Sequence, residues 1–339
     1  MSKLPFPAHH LPGFGLLAAL LVAGLTLFFT MATPPQTPPE GTTPLSDLAK
    51  GQPTSPPPTI LEVSSARQVW DYYQEIGFTM ANLQAGRTDV PRIYLASIIA
   101  SWADEESIAF KKSLFYRTML PLILRVNELI EADRQQLLFL LTKKKAAPLA
   151  PRQTAWLREL AQAYKVIDPA YRGKLDDRHL ATLHRRVDVI PVSMALAQAA
   201  YESAYASSRF AREGNALFGQ WRWGSGLLPA EQRGDLGDYR IADFVSPLDS
   251  MAAFAKNLNT HHAYGDFRTL RRDLRRRNEP LDGHTLAAGL HQYSEKGEDY
   301  VETLRLIISQ NNLALLDKVK LADGPTISLI PNWSDEEQY

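Results

Sequence analysis

Residues 197–207, AQAAYESAYAS, set one carboxylate, Glu202, among alanines and tyrosines. The run before it is apolar and follows Ile190-Pro191, with proline suited to the first turn of a helix. Ala195, Ala197, Ala199 and Ala200 keep that helix slim enough to pack closely against neighbours. The pattern predicts a helix held among other helices and ending at Glu202. Burial raises the pKa of a carboxyl because its charged form loses hydration. A general acid working near neutral pH needs such a raised value. The plainer alternative is a helix-terminal glutamate neutralised by a neighbour such as Arg209.

Outward from this helix the period changes. Gln220–Trp223 and Tyr239–Phe244 read as two short strands joined by an excursion containing glycine and aspartate. Ser246-Pro247 matches an N-cap followed by proline in the first turn, opening a helix towards His261. Further helices are expected near Tyr264–Arg277, His284–His291 and Tyr300–Gln310, and then a loosely ordered tail over 317–339. Upstream, helical apolar spacing marks Ser64–Ile76, Ser107–Ile130, Glu131–Thr142, Thr154–Tyr164 and Asp176–Arg186. Pro121 falls inside the second of these and predicts a kink or a split. The class is mainly α (α+β): a helical domain with a small β-hairpin lobe over 166–316, preceded by an additional helical region over 60–165.

The N-terminus reads differently. An uncharged apolar run from Phe14 to Met31 follows Lys3, so residues 1–32 are expected to be a signal peptide or a retained membrane anchor. A buried helix of the folded domain is the third reading. Residues 33–59 are rich in proline and favour extended geometry, a stand-off linker reaching roughly 80 Å at about 3.1 Å per residue. A proline-rich docking peptide is the alternative there. The 37 basic and 37 acidic side chains balance, so net charge gives no argument for a nucleic-acid partner. The chain has no cysteine, which excludes disulfides, thiolate zinc sites and thiol nucleophiles. No cofactor is implied. His261-His262 has no accompanying ligand motif, and no metal is expected.

Three stretches carry a resemblance: Ala195–Trp221, ALAQAAYESAYASSRFAREGNALFGQW; Tyr239–Arg268, YRIADFVSPLDSMAAFAKNLNTHHAYGDFR; and Tyr293–Ile308, YSEKGEDYVETLRLII. Together they resemble the glucosaminidase domain of glycoside hydrolase family 73, whose members cut bacterial peptidoglycan on a lysozyme-like fold. From about Ile60 onward the chain is similar to the Bax protein group of Gram-negative bacteria. The resemblance implies an endo-β-N-acetylglucosaminidase that cleaves the β-1,4 bond after N-acetylglucosamine in the cell envelope. It would be periplasmic, with peptidoglycan glycan strands as substrate and residues 14–31 at the inner membrane.

By the same resemblance Glu202 is the general acid, protonating the leaving oxygen. A second acid belongs in the hairpin lobe, where Glu231, Asp235 and Asp238 compete; Glu231 matches best by position and residue type. Asp235 and Asp238 also neighbour glycines, where aspartate often serves a turn. Assistance from the substrate's own acetamido group would need no second carboxylate. Tyr293 matches the family's catalytic tyrosine and Tyr300 the packing one, although one extra residue separates them here. Trp221 and Trp223 offer faces to sugar rings, or else staple the hairpin. Glu213, Gly214, Asn215 and Gly219 read as architecture. The arginine run from Arg268 to Arg277 reads first as a solvated helix face, with anionic glycan or lipid head groups as the alternative.

Other readings stay open at this stage. A lytic transglycosylase would leave an anhydro-muramyl end, an amidase would lack zinc ligands and a thiol, and a wall-binding module would have lost turnover.

Overall fold

The computed structural model describes residues 58–104, 107–229 and 237–332. The apolar run 14–31, most of the proline-rich stretch, Glu231 and Asp235 lie outside them. No helix among the described residues is long and apolar enough to cross a membrane.

The chain opens with β1 (Thr59–Val63), α1 (Ala66–Glu75), α2 (Met80–Gln84) and β2 (Ile93–Leu95). The helix α3 (Ile108–Ala146) runs 39 residues without a break. Pro121 therefore does not split it. Proline costs about 3 kcal/mol in a helix interior, yet Leu120 and Leu122 beside it are fully buried, as are Met119 and Ile123. Packing on both sides of the proline holds the two expected segments in one rod. Then come α4 (Pro151–Ala163), α5 (Asp177–Arg186), α6 (Val192–Ser203) and α7 (Arg209–Gly214). The hairpin β3 (Trp221–Trp223) and β4 (Tyr239–Ile241) follows, antiparallel with Trp221 opposite Ile241. The chain continues through α8 (Pro247–Thr260), α9 (Gly265–Arg276), α10 (Gly283–Leu286), α11 (Glu298–Gln310) and β5 (Ile327–Pro331). The fold is mainly α with small β elements, as the pattern predicts, and lysozyme-like, as the resemblance implies.

Two features differ from the sequence reading. The stretch after Leu316 is ordered as far as Asn332: β5 is the middle strand of a parallel sheet in the order β1-β5-β2. Thr59 pairs with Ile327 and Val63 with Pro331, while Ile93 and Leu95 face Ile327 and Leu329 from the other edge. The arginine run is a solvated face only in part: Arg275, Arg276 and Arg277 are exposed, whereas Arg271 is not. Arg271 is 1% exposed and donates to the carbonyls of Asp188, Val189 and Arg185. Burial raises the Asp188 pKa, but Arg271, Arg275 and Arg134 outweigh it and hold the carboxyl below its ordinary range.

One buried apolar cluster reaches from Val63 through α3, α6, α8 and α11 to Leu329. The helix α6 lies inside it, with Val192 to Ala200 all buried. Its entry is fixed by α3, where the Asn127 amide donates to the Ile190 carbonyl and accepts from the Ile190 N–H. The Asp317 carboxylate accepts from the N–H and hydroxyl of Ser193, a negative group at the positive end of the helix.

Candidate active site

Glu202 is the next-to-last residue of α6, and the backbone turns sharply after Ser203. Ala204, Tyr205 and Ala206 all take left-handed conformations, with φ of 51°, 56° and 63°. Three such residues in a row without glycine are costly and need outside support. The Ser203 hydroxyl accepts from the Ala206 N–H, and the Tyr205 N–H returns to the Ala200 carbonyl. The indole N–H of fully buried Trp102 donates to the Tyr205 carbonyl at 2.9 Å. The Tyr205 ring meets Phe115 and Tyr116 edge-on. The region before the glucosaminidase-like stretches thus braces the turn that carries Glu202.

The Glu202 side chain is half-buried, and the Tyr300 hydroxyl donates to it at 2.9 Å. Among the described residues no arginine holds it: Arg209 pairs with Glu213 at 2.8 Å and donates to the Leu228 carbonyl. Burial pushes the Glu202 carboxyl up from 4.5 to about 7, against the lowering effects of the Tyr300 hydrogen bond and the Lys296 charge. The carbonyl end of α6 acts in the same sense as burial, since it disfavours negative charge. Glu202 is therefore poised between its acid and base forms near neutrality.

Sequence reasoning missed Gln198. It stands one helical turn before Glu202, at the i, i+4 spacing that puts two side chains on one face. Its amide donates to the Tyr300 oxygen at 3.0 Å, which leaves the phenol hydrogen directed at Glu202. The spacing was visible in the motif; the partner, 102 residues away, was not. Lys296 was missed too, and its ammonium donates to the Tyr201 hydroxyl.

The two tyrosines sit one behind the other, and the buried one also contacts the carboxyl. Tyr300 is fully buried and its hydroxyl meets Glu202, not open space for a sugar. Half-buried Tyr293 stacks parallel on Tyr300, with ring centres 5.5 Å apart, and donates to the Phe218 carbonyl. Tyr264 continues the row, 5.7 Å from Tyr293. Trp221 stacks on Tyr239 and joins Phe210, Ala216 and Ile241 in a small cluster under the hairpin, while Trp223 is half-buried. Glu231 and Asp235 lie outside the described residues. Asp238 is exposed and sits 3.7 Å from Arg240.

The architectural residues have clear partners. Asn215 accepts from the Ile98 N–H and Ser97 hydroxyl and donates to the Phe244 and Val245 carbonyls, tying the hairpin lobe to the first region. A side chain at Gly214 would strike Leu227 at 2.7 Å, so glycine lets the hairpin lie on α7. His261 is pushed down to about 4 by burial and nearby cations, and its ring lies against His262. Among the described residues no group of three His, Asp or Glu side chains forms a metal cage.

A half-dry carboxyl near the end of a buried helix, in a mainly α chain with a two-stranded lobe, is consistent with a lysozyme-like fold. The matching family model is glucosaminidase, described as mannosyl-glycoprotein endo-β-N-acetylglucosaminidase, over residues 177–313. That span includes Glu202, the hairpin and both tyrosines, and it supports a glycosidase-type enzyme. Protein bax of Escherichia coli (strain K12) is 32% identical over 203 residues, covering 59% of this chain and 70% of that protein. The chain belongs to the Bax family. No solved structure matches it.

Proposed function

We propose that the protein is a peptidoglycan hydrolase of the cell envelope, an endo-β-N-acetylglucosaminidase cutting the β-1,4 bond after N-acetylglucosamine. Glu202 is the general acid. The observation that carries this reading is a carboxyl near the end of a buried helix, hydrogen-bonded by a phenol, bonded to no arginine among the described residues and pushed up to about 7 by burial. In its acid form it gives a proton to the leaving oxygen as the glycosidic bond breaks. General acid catalysis of this kind contributes roughly 10²–10⁴ in rate.

Tyr300 and Gln198 steer Glu202 from behind, and half-buried Tyr293 is the tyrosine placed to meet the reacting sugar. Half-buried Trp223 offers its ring to the sugar chain, while Trp221 packs on Tyr239 and staples the hairpin. Glu231 is the carboxylate that activates water; if Glu231→Gln retains turnover, the substrate's acetamido group takes that part.

The test is a zymogram with embedded peptidoglycan, comparing the wild-type chain with Glu202→Gln. Clearing by the wild type alone, with matching circular dichroism, supports the assignment; equal clearing refutes it. No clearing by either would favour a wall-binding module. Reducing N-acetylglucosamine ends are the expected products, and anhydro-muramyl ends would mean a transglycosylase.

A further inference from the structure

A cavity of about 240 Å³ opens between α5 and the start of α9. Arg185, Arg186 and Arg268 line it together with Thr182, Thr269 and Asp266. Its charges are poorly balanced. Arg186 donates to the Tyr164 and Lys165 carbonyls, and Arg268 to those of Leu258 and His261. These partners are neutral, so both guanidinium charges persist. The Arg185 side chain is exposed, with no hydrogen bond or ion pair among the described residues. The one carboxylate on the wall, Asp266, sits 3.6 Å from His291.

Beyond the wall, Lys165 bears on both Lys256 and His261, so the positive field extends past the cavity itself. Burial lowers the Arg268 pKa to about 10, and the charges of Arg186 and Arg185 lower it in the same direction. Three arginine forks with two threonine hydroxyls form a donor set suited to an oxyanion.

Two relays of contacts connect the cavity wall to the tyrosine row beside Glu202. Arg268 holds the His261 carbonyl, and the His261 ring lies 5.7 Å from Tyr264, next in the tyrosine row. Asp266 meets His291, two residues before Tyr293.

We propose that this cavity is a subsite for an oxyanion carried on a branch of the glycan substrate, held by Arg185, Arg186 and Arg268. The inference rests on the glycan-hydrolase reading above. Two sources share that chemistry: the carboxylates of a peptide stem and the phosphates of a polymer attached to the strand.

The experiment uses the full chain with Glu202→Gln, so that binding is measured without turnover. Its ligands are peptidoglycan fragments left intact, stripped of stems by an amidase, or freed of phosphodiester-linked groups by hydrofluoric acid. One of the two treatments should weaken binding about tenfold, as expected for a hydrogen bond to a charged group, and so identify the source. Adding Arg185→Glu should reproduce that loss on intact fragments and add little on the treated ones. Arg185→Lys, which keeps the charge, should recover most of it. Because Arg185 is exposed, unchanged thermal unfolding checks that these variants remain folded. The subsite is overturned if neither treatment weakens binding, or if Arg185→Glu weakens intact and treated fragments alike. Binding of the bare strand reads the hydrolase assignment separately: its absence would sink both ideas, whereas loss of the preference alone sinks only the subsite.

Discussion

At the scale of single residues, one carboxyl links stability to chemistry. The folded chain binds the Glu202 proton more tightly than the unfolded chain, because burial raises its pKa from 4.5 to about 7. It therefore costs nothing below the unfolded value, weakens the fold as pH rises through that window, and exerts its full effect above about 7. A shift of that size is worth roughly 3 kcal/mol. Glu202→Gln should accordingly stabilise the protein by up to about 3 kcal/mol at pH 8.5 and hardly at all at pH 4, as read by urea unfolding. The same carboxyl sets the alkaline limb of activity, which should fall as pH passes 7 and the acid form is lost. Tyr300→Phe removes the hydrogen bond that favours the ionised form. Hydrogen bonds to charged groups are worth about 1.5–3 kcal/mol, so that limb should move up by about one pH unit or more. A kcat/KM profile checks this; an unmoved limb would mean that the phenol does not tune Glu202.

At the scale of elements, the left-handed turn after α6 is the costly piece. Ala204→Gly should relax one strained residue and stabilise by up to about 1 kcal/mol. Ala199→Gly, inside the same helix, should instead destabilise by about 1 kcal/mol or more. Trp102→Phe keeps most of the ring but leaves the buried Tyr205 carbonyl without its donor, a loss of about 1–3 kcal/mol. It should also lower kcat, because it loosens the turn that holds Glu202. Thermal unfolding of the three variants separates these signs. This turn was not legible in the sequence, since no glycine marks it and its support comes from Trp102, Phe115 and Tyr116. The cap at Ser246 was better signalled, because its side chain bonds its own helix three residues on. Pro121 misled as a local signal, because the apolar residues around it pack on several elements at once.

Over the whole molecule, the helical periods were legible because each is local, whereas the parallel sheet was not. Its strands have three to five residues, and Val63 meets Pro331 across nearly the whole described chain. That topology has a consequence for dissection. The 166–316 stretch looks separable by sequence, yet its central helix α6 packs against α3, and both belong to one core. A fragment of 166–316 would lose the covering supplied by Leu114, Phe115, Met119, Leu120, Leu122, Ile123 and Val126, all fully buried. Each such side chain contributes about 1.5–3 kcal/mol by burial, and together they match or exceed the roughly 5–15 kcal/mol that stabilises most domains. The fragment also lacks Trp102 and Asp317, which brace the two ends of α6. It should therefore be soluble only as a loosely packed chain, with weak near-ultraviolet dichroism and no cooperative unfolding. Deleting 324–339 alone should be milder, because it removes the middle strand and buried Leu329 but leaves α3 on α6. That shorter deletion should still unfold cooperatively at a lower temperature. If the isolated fragment instead melted cooperatively and cleared peptidoglycan as well as the full chain, the first region would be a separate covering, not half of the core that holds Glu202.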